Sequence, residues 1–151
     1  MSGLPLIALA SSFGIGRLHH IGFVVPSIDE SIDEFRALFG SIQVSPTFVD
    51  PIQRAKVIFL LPEQANGTQI ELVEPARDDS PASRLALQGG GLHHLCFEVQ
   101  DLGAAVSRLR GQGHLVISKA TPAIAFEGRR IQWIYTKVKL LIEIVEGGRT
   151  A

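Results

Sequence analysis

Cysteine, tryptophan, tyrosine and methionine occur once each in this chain of 151 residues. With Cys96 as the only thiol, an intrachain disulfide is excluded, and a reducing, cytoplasmic location is the expected setting. Cys96 itself is expected to be a buried small apolar residue. Long hydrophobic runs are also missing: no apolar stretch approaches the ~20 residues a bilayer-spanning helix needs. The run at 4–10 has no Lys or Arg before it and is shorter than the ~15–30 residues of a signal peptide. Residues 1–16 are therefore read as an N-terminal tail or packing arm. An excess of either charge is missing as well, with 14 basic against 15 acidic side chains and a formal net charge of -1. Such a balance provides no field to concentrate nucleic acid or an anionic membrane, so neither partner is expected.

What is present is core-forming material. Hydrophobic residues make up 46% of the chain and charged residues 19%. A domain of ~150 residues buries roughly 70% of the surface its unfolded chain exposes. One domain over residues 17–146 is expected, folding alone or as a homodimer.

The chain also repeats itself. His19-His20-Ile21-Gly22-Phe23-Val24-Val25 aligns with His93-His94-Leu95-Cys96-Phe97-Glu98-Val99 at an offset of 74, from residue 20 to residue 94. Helix-start signals follow each copy: Ser27 with Glu30 three residues on forms a capping box, and Asp101 is a good N-cap. Ile32, Phe35, Leu38 and Phe39 mark a helix stopping at Gly40, and Leu102, Val106 and Leu109 mark one ending near Gly111 to Gly113. β-favouring runs come next, at 42–49, 56–61 and 69–74 in the first copy and at 114–118, 130–135 and 139–145 in the second. The expected fold is α+β, with two tandem βαβββ modules (17–75 and 91–146) forming a curved mixed sheet, helices on its convex side. The connector, 76–90, is expected to hold a short helix starting at Ser80-Pro81.

Strand parity singles out four residues. Side chains alternate across a strand, so His20 and His94 face away from their neighbours His19 and His93. Glu71 lies between Ile70 and Leu72, and Glu143 between Ile142 and Ile144, which leaves both carboxylates on the side away from the helices. An ionised carboxylate in an apolar strand is costly unless paired or metal-bound, and here it recurs at matching places in the repeat. His20, Glu71, His94 and Glu143 are therefore read as ligands of one divalent ion in a central cavity. Two imidazoles and two carboxylates suit a borderline or hard cation of the Co, Mn, Ni, Zn or Mg class, not a thiolate site. His19 and His93 are assigned packing or hydrogen-bonding roles. Arg129-Arg130, Lys137 and Lys139 are read as solvated surface.

Taken together, these segments resemble the vicinal oxygen chelate (glyoxalase/bleomycin resistance/dioxygenase) superfamily, and within it the methylmalonyl-CoA epimerases. The likeness runs from Leu18 to Glu146. It is most specific in Glu71-Leu72-Val73-Glu74-Pro75, Asp79-Ser80-Pro81-Ala82, Gly91-Leu92-His93-His94-Leu95 and Leu141-Ile142-Glu143-Ile144. It implies that His20, Glu71, His94 and Glu143 fall on the family's four metal positions. It also implies an isomerase that abstracts the proton beside the carbonyl of an acyl-CoA thioester, with Glu143 as base and Glu71, or a water, serving the opposite face. Two features depart from the family pattern. The turn Tyr135-Thr136-Lys137-Val138-Lys139 is short and lacks the usual His-Pro-Lys, and Val57 stands where some epimerases carry a second catalytic Glu. Two other activities share this fold, a glyoxalase-type isomerase of a thiol adduct and a non-catalytic ligand-binding or resistance protein.

Overall fold

The computed structural model describes residues 12–40, 42–63 and 67–148, and the apolar run at 4–10 lies outside them. The chain divides into two compact units, one formed by residues 20–93 and the other by residues 12–19 together with 94–148. Each carries a mixed sheet and helices, so the architecture is α+β.

The unit 20–93 takes in the end of β2 (Gly16–Val24), then α1 (Ile28–Phe39), β3 (Gln43–Val44), β4 (Phe48–Asp50), β5 (Ala55–Leu61), β6 (Gln69–Pro75) and α2 (Ser83–Leu87). Its strand order is β3-β5-β6-β2, with β4 paired to β5. β6 runs parallel to β2 and antiparallel to β5. Helix α1 starts where the Ser27 hydroxyl accepts from the Glu30 N–H at 3.3 Å. The carboxylate completing this cap belongs to Glu74 on β6, which accepts from the Ile28 N–H at 2.9 Å. Gly40 ends the helix at φ 80°, where only glycine is unstrained. Ile28, Ile32 and Phe35 pack on Ile58, Leu60 and Leu72, so one face of β5 and β6 is covered by the helix.

Two elements of this unit differ from expectation. The run 42–49 splits into β3 and β4 around Pro46, which has no N–H to give to a ladder. The connector helix begins at Ser83 because Ser80 is engaged elsewhere, donating to the Gln53 carbonyl at 3.2 Å and accepting from the Ala82 N–H at 3.3 Å.

The second unit contains β1 (Ser12–Phe13), the start of β2, most of β7 (Gly91–Val99), α3 (Leu102–Gly111), β8 (Leu115–Val116), β9 (Thr121–Pro122), β10 (Arg130–Tyr135) and β11 (Leu141–Glu146). Its order is β7-β11-β10-β8, with β9 on β10, and β11 parallel to β7. Asp101 caps α3 by accepting from the Ala104 N–H at 2.9 Å. Leu102, Val106 and Leu109 then bury against Phe97, Val99, Ile134, Ile142 and Ile144. Each module thus reads strand, helix and three strands, plus one very short extra strand, β4 or β9.

Residues 12–19 do not trail away from this unit. Phe13 meets Phe97 edge-on at 5.8 Å, and Ile15 and Leu18 pack on its core. Two glycines related by the offset of 74 allow close backbone approach. A methyl on Gly16 would collide with the Glu98 carbonyl, and one on Gly90 with the Val24 carbonyl.

A charge cluster fastens the arm. Arg129 donates to Glu98 at 2.8 Å and to the Glu146 carbonyl at 2.8 Å, stacks over Phe126, and shares Glu98 with Arg17 at 3.5 Å. Arg129 is therefore half-buried structure and not the solvated surface the sequence suggested. Burial pushes the Glu98 carboxyl up, but the Arg129 hydrogen bond and the charges of Arg17 and Arg129 outweigh it and hold the group below its ordinary value. A lowered folded value means stability that is complete above the usual carboxylate range and is lost as pH falls through the folded value. Glu98→Gln is accordingly expected to cost about 1 kcal/mol at pH 7. The difference from the parent should shrink below about pH 4, which urea titrations at the two pH values would read.

Candidate metal centre

In the unit 20–93, the strand faces not covered by α1 carry the chemistry. β6 places Glu71 opposite Gly22 on β2 and opposite Phe59 on β5, all away from the Leu72 and Ile58 side. His20 lies two residues before Gly22 and shares its face. Its Nε2 stands 3.2 Å from the Glu71 carboxylate. Both are buried, His20 at 0% and Glu71 at 6% exposure, so the pair is shielded from water.

The other unit repeats this arrangement. β11 places Glu143 opposite Cys96 on β7 and opposite Trp133 on β10, away from Ile142, Ile144 and the α3 core. His94 lies two residues before Cys96 on the same face. It is 2% exposed and Glu143 is 4% exposed. On one side the residue opposite each carboxylate is small, Gly22 on β2 or Cys96 on β7, and on the other side it is a large ring, Phe59 on β5 or Trp133 on β10. Cys96 is fully buried, as a small core residue would be.

His20, Glu71 and His94 are all buried residues able to ligate a metal. Imidazole nitrogen and carboxylate oxygen, shielded from water, are the donors a borderline or hard divalent cation takes. The residues present therefore fit such an ion. His19 takes the packing role expected of it: it is buried and its ring meets Phe126 edge-on at 5.3 Å.

Parity missed the rings behind the ligands. His20 meets Phe59 at 5.4 Å and His94 meets Trp133 at 4.8 Å, both edge-on. Phe59 and Trp133 are themselves 74 residues apart, so applying the repeat offset to aromatic positions would have found them. Val57 pairs with Val73 and shares the Phe59 face, so the ligand side of β5 presents an aliphatic group where a carboxylate was in question.

Comparison with known proteins gives the class. The glyoxalase/bleomycin resistance protein/dioxygenase superfamily matches residues 19–133. The chain belongs to that superfamily and, within it, to the methylmalonyl-CoA epimerase family. It is 32% identical over 126 residues to an ethylmalonyl-CoA/methylmalonyl-CoA epimerase of Cereibacter sphaeroides, covering 82% of this chain and 90% of that protein. Its fold is similar to methylmalonyl-CoA epimerase from Mycobacterium tuberculosis, with a TM-score of 0.76 and 29% identity over 93% of both chains. A Streptomyces coelicolor methylmalonyl-CoA epimerase in complex with 2-nitronate-propionyl-CoA is similar at TM-score 0.75 and 28% identity, covering 89% of this chain and 99% of that one. Among the described residues no helix is long and apolar enough to cross a membrane.

Proposed function

We propose that the chain is a metal-dependent epimerase of an acyl-CoA thioester, of the methylmalonyl-CoA type, and that His20, Glu71, His94 and Glu143 hold one divalent ion between them. The observation that carries this reading is the duplicated His–Glu pair, buried in each unit on the face turned away from its helix. The acyl-CoA analogue bound by the Streptomyces coelicolor relative favours a thioester over a thiol adduct. The ion belongs to the Co, Mn, Ni, Zn or Mg class that these donors accept. A cytoplasmic location and assembly as a homodimer complete the reading.

Held by those residues, the ion would supply positive charge toward the substrate's thioester oxygen, a contribution of several kcal/mol. The chain's own groups move the proton. Glu143 is assigned as the base that takes the α-proton, a step for which a positioned carboxylate contributes about 10²–10⁴ in rate. Inversion requires a proton to be delivered to the other face, and Glu71, the repeat-related carboxylate, or a water is assigned as its donor. Val57 cannot carry a proton and takes no part in either step.

The test is solvent exchange. The protein loaded with Co²⁺ or Mn²⁺ and given methylmalonyl-CoA in deuterated water is expected to incorporate deuterium at the α-carbon, read by mass spectrometry. Absence of exchange with every metal of the class would refute the assignment.

A further inference from the structure

The two ring contacts behind the ligands are not equivalent. Phe59 is buried at 4% exposure, and Phe48 backs it at 6.3 Å. It meets His20 at 5.4 Å with the ring planes at 69°. Trp133 lies closer to its imidazole, 4.8 Å from His94 with the planes at 81°, and keeps part of its surface exposed. Since β11 lies between β7 and β10, the indole reaches His94 only by crossing over β11 on the face that carries Glu143. A single side chain therefore borders both the imidazole and the carboxylate of its unit.

An imidazole ligates only when one nitrogen lone pair points at the ion, so its ring plane must be fixed. That is commonly done by a hydrogen bond to the other nitrogen. An edge-to-face aromatic contact restricts the same rotation, because the ring quadrupoles favour the perpendicular arrangement over others. The indole is rigid and bulky, with two torsions to set it, and it is held in the middle of a paired strand.

We infer that Trp133 is a positioning residue for the metal centre, fixing the plane of the His94 imidazole, as the more deeply buried Phe59 does for His20. This inference rests on His94 being a ligand. Its distinctive requirement is an aromatic face at position 133, beyond mere bulk.

The experiment is calorimetric titration of Mn²⁺ and Co²⁺ into the apo parent, Trp133→Phe and Trp133→Leu. Phenylalanine restores the face and should keep the Kd within about threefold, whereas leucine, of similar apolar character, should weaken it by about tenfold or more. Trp133→Met gives a second ring-free side chain should the leucine variant not fold, with the same weakening expected. Cooperative melting of the ring-free variant, within a few degrees of Trp133→Phe, separates positioning from loss of structure. As Trp133 is the only tryptophan, Co²⁺ should also quench the parent's emission, and this quenching should vanish in His94→Ala. Parental affinity in the ring-free variants would overturn the inference alone. A parent that binds neither ion would overturn the metal assignment and this inference with it.

Discussion

Glu143→Gln is expected to retain metal yet lose α-deuterium exchange by ~10²-fold or more, the cost of removing a general base. Glutamine preserves size and one coordinating oxygen but has no basic carboxylate. The local setting favours a clean substitution. Glu143 sits between Cys96 and Trp133 on paired strands, so a side chain of the same length stays on the same face. Metal content by elemental analysis must accompany the rate, because a fall in both would report lost ligation and not a lost base. Exchange at the parental rate in a metal-loaded variant would remove Glu143 from the proton path and move attention to Glu71.

His94→Ala should lower metal affinity by more than the roughly 10–100-fold that loss of an outer-shell partner costs. His93→Ala, on the opposite strand parity, should bind nearly as the parent does. His94 is 2% exposed and packed on Trp133. Alanine therefore also leaves a void under the indole, and stability should fall with affinity. His94→Phe keeps a ring against Trp133 without donor nitrogens and isolates the loss of ligation. Unchanged metal stoichiometry in His94→Phe, or strong loss in His93→Ala, would show the ligand parity to be wrong.

The repeat made most of the architecture readable, because a period of 74 residues brings with it the capping, strand parity and apolar spacing of both modules. Ser27, Gly40 and Asp101 act where their chemistry placed them. The Ile and Leu residues flanking the two carboxylates do face the helices. What escaped depended on partners distant in sequence. The cap of α1 is completed by Glu74 and not Glu30, the helix after β6 starts late because Ser80 is held by Gln53, and Arg129 is drawn inward by Glu98. None of these is encoded within a local window. The rings of Phe59 and Trp133 escaped for a related reason. Their contact with histidine crosses an intervening strand, and periodicity along a single strand does not report it.

The division of the chain has a consequence for the order of assembly. Residues 20–93 are continuous, so all the contacts of that unit become available as soon as its own segment has been made. The other unit is split. Its residues 12–19 are synthesised first, yet the buried core that receives Phe13, Ile15 and Leu18 begins only at Phe97. During synthesis from the N-terminus, those apolar side chains must wait through the whole intervening unit for the core they pack on. Closing so long a loop late is what makes non-local pairing slow, and unpaired strand edges expose such intermediates to aggregation.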